Sequence, residues 1–293
     1  MRTNIRNFLL AACLAGGLIF GGCTEAFEPF QENDLYFSIY GYLDAAADTQ
    51  FVAVTPLRKL VSADAGPIDA AVMLEHLETG RTTSWRDSLF RFSNGSMGHV
   101  FWSKEPVEPG HNYRFTVTRS DGATTATTVR MPASFPDPEL RTNLIPFSPL
   151  PPPRLQNIGL LGIEKLVDLR IVYTLRTEEG GVSDPVTLSY VDKMRRSSEN
   201  RLGLAFDAYE DVNSLFAGSC PQVLTATVIV GGGTSDWPDF FRLDDEMLAD
   251  PDLTGDIRNG MGFLGGAIRW ERPWSGLVVL LGGRRGQCLS RRR

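Results

Sequence analysis

The chain has 293 residues, of which 42% are hydrophobic and 22% charged, a composition typical of a globular protein. This balance excludes a wholly disordered chain, a collagen-like fibre and a membrane protein with many spans. The net charge of -6 argues against a nucleic-acid-binding scaffold, because contacts with phosphates need a basic surface.

The N-terminus has the pattern of a secretory signal. Arg2 and Arg6 form a short positive segment, and residues 8–20 carry no charge. This apolar stretch of 13 residues is too short to cross a hydrocarbon core as a helix, which needs about 20 residues. It matches the apolar region of a signal peptide, which we predict over residues 1–22. A retained transmembrane helix is the alternative.

Cys23 is the predicted lipid attachment site. Gly21 and Gly22 precede it, and the pattern resembles a bacterial lipobox, in which small residues stand before the cysteine that a lipoprotein signal peptidase recognises. Two or three acyl chains, such as palmitate, hold a protein stably on a bilayer. Thr24 follows in place of the Asp that retains lipoproteins in the inner membrane, so we predict the outer membrane, at its periplasmic face or the cell surface. A plain secretory signal with an incidental cysteine is the alternative.

The cysteine count supports export. Once Cys13 is removed with the signal and Cys23 carries lipid, Cys220 and Cys288 remain. An even remainder in an oxidising compartment predicts one disulfide. It closes a loop of about 69 residues, which stabilises the fold by roughly 4 kcal/mol on the chain-entropy model. Two buried free thiols are the alternative.

After a tether at residues 23–33, residues 34–132 are predicted to form an immunoglobulin-like antiparallel β-sandwich. In the clearest run, Tyr113, Phe115 and Val117 alternate with polar residues, which is the period of a half-buried strand. Similar runs predict strands at 37–43, 51–57, 70–77, 99–103, 113–119 and 124–130, with a hairpin turn at 120–123. The stretch 109–113 is similar to the entry of a late immunoglobulin-like strand, where a Tyr hydroxyl bonds to nearby backbone.

A proline-rich segment separates this region from the next. Residues 132–153 hold eight of the 18 prolines of the chain. Because proline cannot donate to a β-ladder, we predict a linker at residues 133–153. A proline-motif ligand for a partner is the sharper alternative.

Residues 154–290 are predicted to form a second, mostly β domain with one short helix. Strands are predicted at 167–175, 185–191, 224–230 and 276–281, and the helix at 239–249. The glycine-rich stretch after the helix is predicted as turns. Gly231–Gly233 are predicted as a flexible turn, because no Lys followed by Ser or Thr completes a phosphate-binding loop.

Two candidate ligand sites lie late in the chain. Asp250, Asp252 and Thr254 have the spacing of the first half of a calcium loop, although the glutamate of its last position is absent; a plain turn is the alternative. Trp237, Trp270 and Trp274 would suit a platform that stacks on sugar rings, although clustered aromatic residues are more often core residues.

No catalytic constellation emerges from the remaining residues. His76, His99 and His111 lack the spacing of a metal-binding pair, and the hydrolase pattern G-x-S-x-G is absent. We therefore predict surface or sheet-facing histidines, no catalytic residue and no cofactor.

The order of features resembles a lipoprotein family of Bacteroidota-type bacteria known as domain of unknown function 4249. The likeness rests on Cys23 followed by residues 27–30, on the early strand region at 37–55 and on the strand entry at 109–113. It also rests on residues 224–230 followed by 237–248, and on residues 259–266, which look like that family's near-terminal N-x-G-x-G-x-F-G pattern. The resemblance implies an envelope-anchored protein, with genes often found near those of TonB-dependent receptors, and it implies no activity or catalytic residue.

From these observations we predict a non-catalytic binding or accessory module at the outer membrane, acting with a TonB-dependent transporter or another envelope assembly. A glycan-binding surface lipoprotein that uses the late aromatic residues is the first alternative. A hydrolase whose residues come together from distant positions is the second.

Overall fold

The computed structural model describes residues 35–57, 67–91, 95, 97–144, 154–176, 181–215, 222–238 and 256–277. The strands are β1 (Phe37–Asp44), β2 (Gln50–Pro56), β3 (Ala71–His76), β4 (Arg81–Ser84), β5 (Arg86–Arg91), β6 (Met97–Ser103), β7 (Asn112–Thr118), β8 (Thr124–Arg130), β9 (Glu139–Leu144), β10 (Arg154–Leu161), β11 (Lys165–Arg176), β12 (Val186–Ser189), β13 (Arg195–Ser198), β14 (Arg201–Phe206), β15 (Gln222–Gly233), β16 (Ile257–Arg258) and β17 (Gly260–Pro273). Helix α1 (Ala208–Leu215) and a 3-10 turn (Val191–Lys193) complete the described elements. The mainly β fold predicted from the sequence is confirmed.

The strands form three sheets. The large sheet has eight strands in the order β12-β11-β15-β17-β1-β2-β6-β5. A five-stranded sheet has the order β16-β8-β7-β3-β4, and a four-stranded sheet the order β13-β14-β10-β9. All described residues belong to one compact unit that begins at Leu35.

The first hydrophobic core lies between the large sheet and the five-stranded sheet. Along β7 every second side chain is buried, and on β1 Phe37, Ile39 and Leu43 of one face are buried, because alternate residues of a strand point to opposite faces. Ile39 of β1 and Phe115 of β7 are both fully buried members of this core. The two sheets therefore pack face to face as a sandwich.

A second core lies between the other half of the large sheet and the four-stranded sheet. Leu169, Ile171 and Tyr173 of β11 supply one side of it, and Ile158 of β10 and Leu204 of β14 supply the other. The same packing rule thus produces a second sandwich-like layer from the later part of the chain.

Both cores lie on the same face of the large sheet. On β17, Leu264 belongs to the first core and Trp270 packs against the second. These residues are six positions apart, and an even separation keeps two side chains on one face of a strand. The opposite face of the large sheet, which we call the outer face, therefore carries neither core.

The predicted domain boundary falls inside a shared structure. β17 pairs in parallel with β1 and antiparallel with β15, so strands from both predicted domains lie next to each other in the large sheet. Within the segment predicted as a linker, residues 139–144 form β9 and pair with β10. The two hydrophobic cores thus share one continuous sheet.

Local predictions around β7 are confirmed. The ring of Tyr113 is buried, and its hydroxyl accepts a hydrogen bond from the backbone N–H of Glu108 at 2.8 Å. The hairpin between β7 and β8 closes through the N–H of Arg119, which donates to the carbonyl of Ala123 at 2.9 Å. Gly122 takes a φ of 87°, a left-handed conformation that glycine adopts without steric cost.

Two glycine-rich predictions were wrong. Gly231–Gly233 form the end of β15 and are buried, and the stretch after residue 259 forms β17, which at 14 residues is the longest described strand. Glycine is tolerated in these strands because neighbouring groups occupy the space of its missing side chain: a Cβ on Gly232 would lie 2.8 Å from the ring of Phe135.

Several predictions lie outside the described residues. These are the signal peptide and tether, Cys23, the pair Cys220 and Cys288, the helix at 239–249, the calcium-type loop with Asp250, Asp252 and Thr254, and most of the strand at 276–281. Among the helices of the described part, none is long and apolar enough to cross a membrane.

Candidate functional site

The outer face of the large sheet carries a row of aromatic side chains. Tyr42 on β1 is paired with Phe51 on β2, and Phe51 is paired with Trp102 on β6. Directly paired residues of neighbouring strands point to the same face. Tyr42 is 47% exposed and Phe51 is 57% exposed, so large apolar groups face outward at the middle of the sheet.

Trp237 extends this row over β17. Its ring centroid lies 6.0 Å from that of Tyr42 and 5.1 Å from that of Phe263. The indole Nε1 donates a hydrogen bond to the carbonyl of Gly266 at 2.8 Å, and the Lys165 ammonium group donates to the backbone carbonyl of Trp237. We call Trp237, Tyr42, Phe51 and Trp102 the aromatic row.

Glycine on two strands makes room for the indole. A Cβ on Gly265 would lie 2.6 Å from an indole carbon of Trp237, and a Cβ on Gly233 would lie 2.7 Å from its Nε1. Real side chains do not approach so closely, so the indole occupies the positions that two side chains would otherwise fill. Gly233 of β15 and Gly265 of β17 therefore form the surface on which the Trp237 indole packs, which we call the indole seat.

The other end of the row is closed by polar groups. The guanidinium of Arg86 on β5 lies 5.3 Å from the centre of the Trp102 ring, in a cation–π contact. The indole Nε1 of Trp102 donates to the hydroxyl of Ser88 at 3.0 Å. From β17 to β5 the row and its polar end cross five neighbouring strands, which corresponds to roughly 19 Å at about 4.8 Å per strand.

Further apolar side chains widen the row into a patch. Tyr40 stands two residues from Tyr42, and Phe90 stands four residues from Arg86, so both point to the outer face. Tyr40 is 47% exposed and Phe90 is 55% exposed. Several exposed apolar side chains on one face of a sheet are typical of an interaction surface.

Charged residues border the patch on the side of β11. Arg269 of β17 lies on the outer face next to Asp168 and Arg170 of β11, and the Arg170 Nε lies 2.9 Å from the Asp168 carboxylate. Burial raises the pKa of Asp168, and the positive charges of Arg170 and Arg269 partly offset this effect. The outer face thus combines an aromatic centre with an ionic margin.

A second cluster lies at one end of the five-stranded sheet. His76 ends β3, Glu78 lies in the turn that follows, and His111 precedes β7. The Glu78 Oε2 lies 3.2 Å from the His76 Nδ1 and 3.7 Å from the His111 Nδ1. Burial acts to raise the pKa of Glu78, but hydrogen bonds from Asn112 and the nearby His111 lower it overall.

The three tryptophans predicted as a sugar platform do not share one surface. Trp237 lies on the outer face, whereas Trp270 packs against the second core on the opposite face and donates its Nε1 hydrogen bond to Asp137 at 3.1 Å. Trp274 is only 6% exposed and belongs to that core. Their separation follows from the alternation of side chains along β17, which places Trp270 opposite to Phe263.

Sequence reasoning missed most of the groups that the structure brings together. Tyr42 and Trp102 are 60 residues apart in the chain, with Phe51 between them, and His76 and His111 are 35 residues apart. The alternation of Tyr40 and Tyr42 with buried neighbours was the one available signal for the outer face. Nothing in the spacing of the histidines indicated their contact, since it depends on the register of β3 against β7.

Comparison with protein-family models and with curated proteins found no match. Among solved structures, the chain is similar to a crystal structure of pullulanase from Anoxybacillus sp. LM18-11, with 9% identity and a TM-score of 0.23 over 66% of this chain. The same enzyme complexed with maltotriose gives 11% identity and a TM-score of 0.23. In both cases the chain spans 24% of the length of the pullulanase. At this score the likeness carries no argument about function.

Proposed function

We propose that the protein is a non-catalytic binding module, held at the outer membrane by lipid on Cys23, and that the patch around the aromatic row is its contact surface for an envelope protein. The pattern around Cys23 supports the anchor. The exposure of Tyr42 and Phe51 at the centre of the outer face carries the proposed contact. Burying such groups against a partner stabilises the complex by about 25 cal/mol for each Å² of apolar surface removed from water.

The residue types of the patch favour a protein as the occupant. Tyr, Trp and Arg are the side chains that dominate the energetics of protein interfaces, and here they are surrounded by a charged margin. Arg86 already lies over the Trp102 ring, and Ser88 already accepts the hydrogen bond of its indole. A sugar stacked on Trp102 would displace this arginine, whereas a protein partner with a carboxylate would pair with it.

The partner class that we propose is a TonB-dependent transporter. It follows from the family resemblance and from the predicted location in the outer membrane, where both proteins would lie in the same bilayer. The module would then act as a tethered accessory subunit of the transporter, without chemistry of its own.

A photo-crosslinking amino acid placed at Phe51 in cells tests the contact. Met73 is the matched control position, because it is 45% exposed on the outward side of the five-stranded sheet, away from the row. We expect a crosslinked TonB-dependent transporter, identified by mass spectrometry, from position 51 and not from position 73. Equal capture at both positions, or no transporter at position 51, would refute the proposed contact.

The anchor is tested separately by labelling cells with radioactive palmitate. We expect label on the native chain and none on the Cys23→Ala variant, which should leave the membrane fraction. Label that persists after this substitution would contradict lipidation at Cys23.

A glycan ligand is the second candidate, favoured by the alignment of four aromatic rings across adjacent strands. Electrophoresis through gels that contain linear polysaccharides separates the two candidates. If the native chain is retarded in these gels and the Phe51→Ser variant is not, the patch binds a glycan, and the proposed protein partner is refuted.

A further inference from the structure

The cluster of His76, Glu78 and His111 has the dimensions of a metal site. One ligand atom from each residue lies within 4.8 Å of the others. Tetrahedral Zn²⁺ with bonds of about 2.0–2.1 Å places its ligand atoms about 3.3 Å apart. The distances of 3.2 Å and 3.7 Å from the Glu78 Oε2 to the two imidazole nitrogens are close to this spacing.

His76 supplies an independent observation. Its side chain is 3% exposed, and its Nδ1 is buried without a hydrogen-bond partner although Glu78 lies next to it. A buried polar atom without such a partner destabilises the fold. A cation between Nδ1 and the carboxylate would satisfy both groups.

The surrounding residues hold the ligands in orientation. Asn112 donates hydrogen bonds from its backbone N–H and from its side-chain amide to the Glu78 Oε1, each at 2.9 Å, and the same N–H lies 3.3 Å from Oε2. These bonds fix the carboxylate, whose Oε2 is the oxygen nearest to the two histidine nitrogens. The Nε2 of His111 lies 3.7 Å from the Glu108 carboxylate. A carboxylate behind the second nitrogen of a metal-bound histidine is a common feature that fixes its tautomer.

The backbone of the site is equally constrained. The carbonyl of His111 accepts a hydrogen bond from Met131 at 2.9 Å, and Tyr113 anchors the loop through its contact with the N–H of Glu108. His76 is paired directly with Tyr113 in the sheet. The ligands therefore occupy a rigid frame before any metal binds, which lowers the cost of binding.

From this geometry we propose that His76, Glu78 and His111 bind one Zn²⁺ ion, with water at the fourth position on the exposed side of His111. Two imidazoles and one carboxylate match the preference of zinc, whereas Ca²⁺ and Mg²⁺ prefer oxygen ligands alone. The ion would link the turn after β3 to the entry of β7. This inference is independent of the proposed contact through the aromatic row.

Calorimetric titration of Zn²⁺ into the full-length, chelator-treated chain in detergent tests the site. The chain has only three histidines, so His99→Gln is a matched control that removes the one histidine outside the cluster. We expect His111→Gln to weaken Zn²⁺ binding by at least about 100-fold, and Asn112→Ala, which removes only an orienting group, to weaken it by about 10–100-fold. The His99→Gln variant should bind as the native chain does.

Because Cys residues elsewhere could also bind zinc, the difference between the native chain and His111→Gln is the decisive quantity. Far-ultraviolet circular dichroism checks that each variant is folded. If His111→Gln does not fold, Asn112→Ala serves as the second variant. Equal Zn²⁺ binding by the native chain and the folded variants, or an equal loss in His99→Gln, would overturn the proposal. So would displacement of Zn²⁺ by a 100-fold excess of Ca²⁺.

Discussion

Adding a single methyl group at Gly265 tests whether Trp237 joins the aromatic row because β17 leaves room for it. A Cβ at this position would lie 2.6 Å from Cζ of Phe263 and 2.6 Å from Cε2 of Trp237. Carbon atoms in contact are normally about 3.5–4.0 Å apart. Phe263 is only 9% exposed and has little space to move, so we expect the Gly265→Ala substitution to displace the indole.

The expected cost follows from the contacts that the indole would lose. Its hydrogen bond to the Gly266 carbonyl is worth about 0.5–1.5 kcal/mol, and each ring contact, with Phe263 and with Tyr42, is worth a further amount of about 0.5–1.5 kcal/mol. Some packing would be recovered as Trp237 settles elsewhere. We therefore expect the free energy of unfolding to fall by about 2–3 kcal/mol and tryptophan emission to shift to longer wavelength.

Urea unfolding followed by tryptophan fluorescence measures both quantities. Gly203→Ala is the matched control, because no atom lies within 4 Å of its added Cβ and its backbone is that of an ordinary strand; it should change the free energy of unfolding by less than about 0.5 kcal/mol. If Gly265→Ala unfolds at the same urea concentration as the native chain, with the same emission spectrum, the indole does not depend on this seat.

Three further outcomes are expected from the described contacts. On β1, Ile39→Ala should lower the free energy of unfolding by about 2–5 kcal/mol. Tyr40→Ser should change it by less than about 0.5 kcal/mol, because the Tyr40 side chain is 47% exposed on the outer face. Similar urea midpoints for the two variants would contradict the assignment of faces. Tyr113→Phe should cost about 1–2 kcal/mol in the same assay, since a backbone N–H loses its acceptor, and an unchanged midpoint would show that the hydroxyl contact is unimportant. Carbon NMR should give the Asp121 carboxyl a pKa of about 2, lowered from 3.8 mainly by its hydrogen bond with Arg119. The ionised carboxylate thus stabilises the fold above about pH 4 and loses this effect as the pH falls through 2. The Arg119→Gln substitution should return the pKa toward 3.8.

Strands whose side chains alternate were predictable from the sequence. In β7, Tyr113, Phe115 and Val117 are buried and Arg114 is exposed, as the alternation indicated. The Tyr113 corner was also predictable, because its function is local: the hydroxyl reaches a backbone group five residues earlier in the chain. Local geometry of this kind is encoded within a few residues.

β17 was not predictable by the same reasoning. Its first residues include Gly260, Gly262, Gly265 and Gly266, and glycine normally weakens a strand. Here the missing side chains are replaced by groups from distant parts of the chain, such as Trp237 over Gly265 and the backbone of Met131 against Gly266. Only the assembled tertiary structure explains why these residues are extended.

The aromatic row depends on the same long-range assembly. Tyr42, Phe51 and Trp102 come from strands of the first predicted domain, and Trp237 comes from the second, where it lies over β15 and β17. Because β17 pairs directly with β1, the continuous row exists only when both parts of the chain share the large sheet. Both cores occupy the other face of that sheet. A contact made through the outer face therefore engages groups from both parts of the chain, and the Gly265→Ala substitution in the second part should weaken it by displacing Trp237 from Tyr42.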